Sequence, residues 1–202
     1  MSMGFFAQQG MGASSGPPIT PTVWDAALKG ANVVLSGGDL IATGGITNWQ
    51  SVFATAGKSS GKWQFEIEHL GGTSTSRPFA AIADKTNASN LLATYAGNNS
   101  ASVSESVGYW GNGRVYWKLS TGSSEIGVGG TNAGMKITIA LDLTLPTPEA
   151  KFYRDGVLQL TRALPVGKTW FPMCSLANSA SQAMLHCSGL EFPVSGFSEW
   201  DS

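Results

Sequence analysis

The stretch from residue 134 to residue 176 constrains the fold of this chain more than any other, because its side chains alternate with a period of two. Apolar side chains separated by single polar or small residues stand at Ile137, Ile139, Leu141 and Leu143. A period of two is typical of a strand that buries one face and leaves the other in water. The spacing therefore predicts a half-buried strand.

Tight turns break the rest of the chain into short apolar runs. Asp155-Gly156 lies between Ala150–Arg154 and Val157–Thr161, and this pair readily takes the positive φ angles of a type I′ hairpin turn. Gly-rich breaks at Ser36–Gly38 and Gly111–Gly113 predict two further hairpins. With no convincing amphipathic helix, this pattern predicts an all-β fold, an antiparallel two-sheet β-sandwich.

Several short motifs, in this order, resemble the SPRY domain family. They are Gly-Lys-aromatic-x-aromatic-Glu from Gly61, Ser-x-Gly-Tyr from Ser106, Phe-Tyr-x-Asp-Gly from Phe152 and Leu-Pro-x-Gly-Lys-Thr-x-Phe-Pro from Leu164. The resemblance covers roughly residues 33 to 192. The chain departs from the family pattern at Asp155, where Asn is common, and at residues 187–189, where Cys-Ser-Gly replaces Phe-Gly.

The resemblance implies two curved antiparallel sheets, in a SPRY or concanavalin-like sandwich, with variable loops gathered at one end. It also implies a non-catalytic module that binds other proteins through those loops. The alternation and the resemblance together predict a core between the sheets. The residues expected in it are Trp63, Phe65, Ile67, Ile137, Ile139, Leu141, Phe152, Leu176 and Leu185.

Charge and cysteine content exclude several classes of partner and site. Charged residues make up 12% of the chain, the net charge is −1, and no basic cluster exists, so neither nucleic acid nor an anionic membrane is an expected partner. Cys174 and Cys187 are expected as buried thiols rather than a disulfide. With only His69 and His186 beside them they are too few for a zinc site, and no metal or cofactor is expected.

Residues 1–21 form a Gly-, Ser- and Pro-rich arm, and residues 22–202 are expected to form the SPRY-like domain. Phe5 and Phe6 are the only large apolar pair in the arm, which predicts that they anchor it either on a neighbouring subunit or on its own domain. Gly12–Gly16 matches the G-x-S-x-G nucleophile pattern, but no strand precedes it and no helix follows, so it is interpreted as a coincidence.

The expected recognition surface consists of loops. It comprises the long polar insertion Asp84–Glu105, the Gly111–Gly113 turn and the Gly/Ser-rich connection Ser120–Ala133. The candidate contact residues are Tyr95, Trp110, Asn112 and Trp117. For Trp117, packing at the edge of the sandwich is the alternative.

No nucleophile–base set stands out, so no enzyme is expected. Glu66 and Glu68 are interpreted as the wet face of a strand rather than a catalytic pair. The N-terminus lacks the features of a secretory signal, which predicts a protein retained in the cytoplasm.

The preferred context is a bacteriophage virion surface component, assembled in the host cytoplasm and oligomeric. Its arm would bind other virion subunits, and its sandwich would be displayed for capsid decoration or host attachment, where its loops would meet a host-surface protein or glycan. The alternatives are a stand-alone cytoplasmic protein- or glycan-binding module and a glycan hydrolase.

Overall fold

The computed structural model describes residues 20–45, 48–73, 75–99 and 104–202. These residues form fifteen strands and one short helix, α1 (Ala88–Leu91). The strands are β1 (Trp24–Lys29), β2 (Val34–Ser36), β3 (Ile41–Thr43), β4 (Gln50–Ala54), β5 (Lys62–Gly71), β6 (Phe79–Ala83), β7 (Ser106–Trp110), β8 (Arg114–Leu119), β9 (Gly122–Gly127), β10 (Lys136–Asp142), β11 (Glu149–Arg154), β12 (Val157–Ala163), β13 (Phe171–Leu176), β14 (Gln182–His186) and β15 (Ser198–Glu199).

The strands build two sheets that pack face to face. The seven-stranded sheet has the order β1-β4-β13-β6-β7-β8-β9. The eight-stranded sheet has the order β12-β11-β10-β5-β14-β3-β2, and β15 adds to it by pairing in parallel with β5. Every other strand pair is antiparallel, which confirms the predicted antiparallel two-sheet sandwich.

The core between the sheets contains the side chains that the alternation predicted. Eight of the nine expected core residues are buried: Phe65, Ile67, Ile137, Ile139, Leu141, Phe152, Leu176 and Leu185. Trp63 is only half-buried, because it lies at the rim of the core, where its indole N–H donates to the Ser60 carbonyl and the Lys58 ammonium lies 3.6 Å from its ring centre. The attraction between the Lys58 ammonium and the face of the indole ring favours this partly exposed position.

The hairpin between β11 and β12 has the predicted turn. Asp155 and Gly156 both have positive φ angles, 44° and 78°, as a type I′ turn requires. The segment Ser120–Ala133, in contrast, is not only a connection, because it contains β9. Glycine and serine have low strand propensity, and β9 forms because the neighbouring strand β8 offers a free edge along its whole length. Like β9, the first strand, β1, lies where the sequence predicted no strand.

The interpretation of Glu66 as part of a solvated strand face is wrong. Its side chain is fully buried beneath residues 190–197, here called the C-terminal strap. One carboxylate oxygen accepts the Phe192 N–H at 2.7 Å and the Thr138 hydroxyl at 3.1 Å, and the other accepts the Glu191 N–H at 3.0 Å. Glu68 is half-buried and lies 3.2 Å from the His186 ring nitrogen. Alternation located the carboxylates correctly on the outer face, but the strap covers that face.

The strap is held at a second point by Gln64, the preceding outer-face residue of β5. Its side-chain oxygen accepts the Val194 N–H at 2.6 Å, and its amide donates to the Phe197 carbonyl at 3.1 Å. After the strap, the side chain of Trp200 enters the core between the two sheets, where it packs edge-on against Phe65. The C-terminal segment is therefore an integral part of the domain.

Replacing Glu66 should weaken the whole domain. Glu66→Ala leaves the buried Thr138 hydroxyl and the backbone N–H groups of Glu191 and Phe192 without this acceptor, so we expect a loss of about 1–3 kcal/mol in the free energy of unfolding. Denaturant unfolding measures this loss. Glu68→Gln is the matched control and should change the stability by less than about 1 kcal/mol, since its ion pairs are partly exposed. Equal stability of the two variants would contradict the strap contact.

The stability of the domain also depends on pH, through the buried side chain of His69. Its ring is fully buried, with Nδ1 2.8 Å from the Thr131 hydroxyl, and no partner for Nε2 lies among the described residues. Burial, reinforced by the nearby Arg77 charge, lowers the pKa of His69 from 6.5 to about 3. The folded protein therefore holds a neutral ring down to a pH at which the unfolded chain is already protonated.

This shift predicts a stability that falls with acid. Below pH 6.5 the unfolded state binds a proton that the folded state excludes, so the free energy of unfolding should drop by about 1.4 kcal/mol per pH unit down to pH 3. Between pH 7 and pH 5 the expected loss is about 2 kcal/mol, measured by urea unfolding. In His69→Asn this part of the pH dependence should disappear. The same slope in both proteins would contradict the assignment to His69.

Candidate functional site

The long insertion between β6 and β7 covers the outer face of the seven-stranded sheet. Its described residues, 84–99 and 104–105, include α1. Leu91 and Ala96 are fully buried against Phe53, Phe79 and Met173, which point outward from the sheet. The insertion and the sheet together form a second apolar cluster, separate from the main core.

The two ends of the insertion are joined by charged groups. The Glu105 N–H donates to the Asp84 carboxylate at 3.0 Å, and the Asp84 N–H donates to the Glu105 carbonyl at 3.0 Å. The Lys168 ammonium lies 2.9 Å from Asp84 and 3.1 Å from Glu105. Its hydrogen bond to Asp84 and the neighbouring carboxylate raise the pKa of Lys168. This closure lets a long loop leave and rejoin the sheet at one point.

Three buried serines bind the middle of the insertion to the sheet. Ser51 on β4 donates its hydroxyl to the Thr94 carbonyl at 2.7 Å and lies 2.8 Å from the Ser175 hydroxyl on β13. Ser175 accepts the Ala96 N–H at 3.0 Å, and Ser106 on β7 accepts the Gly97 N–H at 2.8 Å. The backbone of a buried loop needs such partners, because unpaired buried amides are costly. The serines thus fix residues 94–97.

Gly108 permits this close contact between the insertion and the sheet. A Cβ atom at Gly108 would lie 2.6 Å from the Ala96 Cβ and 2.8 Å from the Phe79 ring. Both distances are shorter than any normal carbon–carbon contact, so a larger residue at this position would push the insertion off the sheet. The neighbouring residue Tyr95 is positioned by the same contact.

Five aromatic side chains meet at the margin of the insertion and are called here the aromatic cluster: Trp49, Phe79, Tyr95, Trp110 and Tyr116. Phe79 is buried at its centre, with Tyr95 and Trp110 stacked on it at centroid distances of 5.4 and 5.5 Å. Trp49 and Tyr116 approach it edge-on at 5.2 and 5.8 Å. The four outer rings are partly exposed and surround a pocket of about 110 Å³.

The aromatic cluster is rigid because each ring is held by backbone or by another ring. The Trp110 indole N–H donates to the Arg77 carbonyl at 3.0 Å, and Phe79 and Trp110 are directly opposed on paired strands. Tyr95 follows Thr94, whose carbonyl accepts the Ser51 hydroxyl. Offset-stacked and edge-on pairs at these distances are individually favourable. The exposed ring faces are therefore fixed before any ligand arrives.

A second cavity, called here the polar cleft, adjoins the aromatic cluster and shares Tyr95 and Tyr116 as walls. It has a volume of about 280 Å³ and is otherwise lined by Gly97, Asn99, Ser123, Ser124 and Glu125. Glu125 forms an ion pair with Arg114 on the adjacent strand. Burial raises the pKa of Tyr116 above its ordinary value. The polar cleft offers hydrogen-bonding groups beside aromatic surface.

The structure brings together only some of the residues that the sequence suggested. Tyr95 and Trp110 lie in the aromatic cluster. Asn112 lies in the β7–β8 turn, where its side-chain oxygen accepts the Arg114 N–H at 3.1 Å. Trp117 points to the opposite face of β8, into the sandwich, with the Arg162 guanidinium 4.1 Å from its ring centre. Phe5 and Phe6 lie outside the described residues.

Sequence reasoning missed Trp49, Phe79, Tyr116 and Glu125 as site residues. Tyr116 had a usable signal, because strict alternation along β8 puts it on the opposite face from Val115 and Trp117. Phe79 and Trp49 had no usable signal in the sequence, since only the folded insertion shows that the outer face of β6 is covered.

Among the described residues, no group of three or more His, Cys, Asp and Glu side chains is arranged to hold a metal ion. Cys174 and Cys187 are buried and unpaired, and burial raises the pKa of both thiols. Gly12–Gly16 lies outside the described residues. No helix in the described part of the chain is long and apolar enough to span a membrane.

Comparison with known proteins connects this architecture to one fold. No protein-family model and no curated protein sequence matches the chain. The crystal structure of the SPRY domain of human HERC1 superposes with a TM-score of 0.62, covering 83% of this chain and 99% of that domain at 14% identity. The chain folds as a SPRY-like domain. The crystal structure of a human SPRY domain also superposes, with a TM-score of 0.58, covering 79% of this chain and 97% of that one at 14% identity.

Proposed function

We propose that this SPRY-like domain is a non-catalytic interaction module that binds a protein partner through the aromatic cluster and the polar cleft. The observation that carries the proposal is the set of partly exposed, prealigned rings of Trp49, Tyr95, Trp110 and Tyr116 around one pocket. Large rigid aromatic side chains supply much contact area at a small cost in conformational entropy and dominate many interfaces.

The arrangement of the site supports binding rather than catalysis. Glycoside hydrolysis needs two carboxyl groups about 5–10 Å apart on opposite sides of the scissile bond. Among the residues that the structure describes, the polar cleft contributes one carboxylate, Glu125, which is paired with Arg114. Glu66 and Glu68 lie on the other sheet, where they hold the strap and His186.

Truncating the exposed rings tests the proposal. Linear peptides are selected from a displayed library against the full chain, and their dissociation constants are measured by calorimetry. Trp110→Ala and Tyr116→Ala should weaken binding by about tenfold or more, as for aromatic residues at the centre of an interface. Tyr153→Ala is the matched control on the other sheet and should leave binding unchanged. Peptides that bind all three variants equally would overturn the assignment of this surface.

Glycan recognition is the second candidate, favoured by one specific observation. Tyr95 and Tyr116 border a cleft that also contains Asn99 and Glu125, so a sugar ring could stack on a tyrosine while its hydroxyls bond to the polar side chains. A glycan array probed with the full chain and with Tyr116→Ala separates the two candidates. Signals that vanish in the variant would support this second function.

For the biological context we propose a bacteriophage virion surface component that displays the domain and is anchored by residues 1–21. The low charge and the Gly-, Ser- and Pro-rich arm support this idea. So does the fixed exit point of the arm, since the Thr22 N–H donates to Asp201 at 2.9 Å and β1 follows at one edge of its sheet. That edge is six strands from β9, or roughly 30 Å at the usual strand spacing.

Removal of residues 1–19 tests the arm without touching Thr22. The truncated chain should keep the melting temperature of the full chain, because the arm itself has too little apolar surface to stabilise the domain. In sedimentation velocity it should lose the self-association of the full chain. Phe5→Ala with Phe6→Ala should reproduce that loss. Normal assembly of the truncated chain would contradict an anchoring role.

A further inference from the structure

The strand β9 ends the seven-stranded sheet and is exposed along all six residues, Gly122–Gly127. It pairs with β8 in one uninterrupted register, from Leu119 opposite Gly122 to Arg114 opposite Gly127. Among the described parts of the chain, no segment pairs with its other side. β9 therefore presents an open sheet edge.

One hydrogen bond identifies which backbone groups face that edge. The Val128 N–H donates to the Gly113 carbonyl at 2.8 Å, and these two residues continue the β8–β9 register. Opposed residues of an antiparallel pair alternate between bonded and non-bonded pairs. Counting in steps of two, Ile126, Ser124 and Gly122 bond to β8. The N–H and C=O groups of Ser123, Glu125 and Gly127 point away from it.

The other three sheet edges carry features that discourage pairing, whereas β9 does not. β1 has an irregular register and carries Asp25 and Lys29, β2 is only three residues long, and β12 opposes β11 across a bulge. Short length, charge and bulges are the usual protections of natural sheet edges. β9 has no proline, lysine or bulge, and its one charge, Glu125, is already paired with Arg114.

The side chains of β9 connect this edge to the site described above. Ser123 and Glu125 point to the outer face and line the polar cleft, whereas Ile126 points to the inner face and is 45% exposed. A strand added beside β9 would alternate in the same way. Its outer side chains would lie beside the polar cleft, and its inner side chains would cover the exposed part of Ile126.

We propose that an extended segment of a partner protein binds by adding an eighth strand to this sheet at β9. The segment alternates polar residues on the Glu125 side with apolar residues on the Ile126 side, and main-chain hydrogen bonds to Ser123, Glu125 and Gly127 hold it. This mode of recognition combines backbone affinity with side-chain pockets. The inference rests on the proposed function of the cleft as a protein-binding site.

A partner segment fits the edge better than a second copy of the chain. A six-residue strand is about 20 Å long, and a stable dimer requires about 1,200–2,000 Å² of buried surface. Pairing of β9 with its own copy provides only this narrow edge. A flexible peptide, in contrast, can bury its side chains in the polar cleft as well.

Proline substitutions test the backbone contacts directly, using the library-selected peptides as probes. Ser123→Pro and Glu125→Pro each remove an N–H that points away from β8, so the sheet keeps its own hydrogen bonds and should remain folded. We expect each to weaken peptide binding by about tenfold or more. The matched controls Ser123→Ala and Glu125→Ala keep the N–H and should bind more tightly than the corresponding proline variants.

Amide hydrogen exchange of the unmodified chain gives an independent readout. Peptide binding should slow exchange at Ser123, Glu125 and Gly127, while Ser124 and Ile126, already bonded to β8, should change little. Unchanged exchange at the three outward amides would overturn the inference, even if a proline variant had failed to fold. Exchange slowed by rising protein concentration without peptide would overturn it in favour of a second copy.

The aromatic variants separate this inference from the proposed function. Peptides that depend on Trp110 and Tyr116 but bind both proline variants normally would overturn strand addition and leave the aromatic site intact. Peptides that depend on the outward N–H groups but not on those rings would support strand addition and overturn the aromatic site. Dependence on both supports the complete arrangement.

Discussion

The candidate site depends on the buried hydroxyl pair of Ser51 and Ser175. These two side chains, with Ser106, take up the carbonyl of Thr94 and the amides of Ala96 and Gly97 at the point where the insertion presses on the sheet. In the apolar surroundings of Phe53 and Met173, those backbone groups would otherwise have no partner. The serines let a loop be buried, and the buried loop places Tyr95 on Phe79.

The second sheet covers its outer face by a similar arrangement. There Glu66 and Gln64 accept the amides of the C-terminal strap. In both cases an irregular segment lies over a sheet, and polar side chains from the strands satisfy the backbone of that segment. The domain is therefore thicker than two sheets, and each outer face has a different cover. The cover on the seven-stranded sheet borders a pocket that is lined by partly exposed aromatic rings.

The sequence predicted the features that short-range patterns control. Alternation identified both faces of β5 and β10, and Asp155-Gly156 identified a hairpin turn, because side-chain period and turn geometry are local properties. The cover of a face is not local. Glu66 has the same alternation whether water or the strap lies above it, and only residues more than a hundred positions away decide which.

Short-range sequence patterns also predicted only part of the candidate site. Tyr95 and Trp110 were found because they are aromatic residues in or beside loops, but that criterion could not distinguish them from Trp117, which faces the interior. The strand β9 was missed because its glycines and serines carry almost no strand signal. Its hydrogen bonds come from β8, whose own strand signal is strong. A weak strand beside a strong one is an effect of tertiary pairing.

The small residues that give β9 its weak strand signal also make it suitable for recognition. Small side chains leave the backbone groups of Ser123, Glu125 and Gly127 accessible, and the uninterrupted register keeps them aligned with any incoming strand. The rings of Tyr95 and Tyr116 line the polar cleft beside them. Tyr95 is positioned by the serine contacts of the insertion, and Tyr116 by its place on β8. Affinity from a regular backbone edge is tolerant of sequence, whereas a rigid pocket selects side chains. The β9 edge, which tolerates many sequences, lies beside a preformed aromatic surface that selects side chains, so one site has both properties.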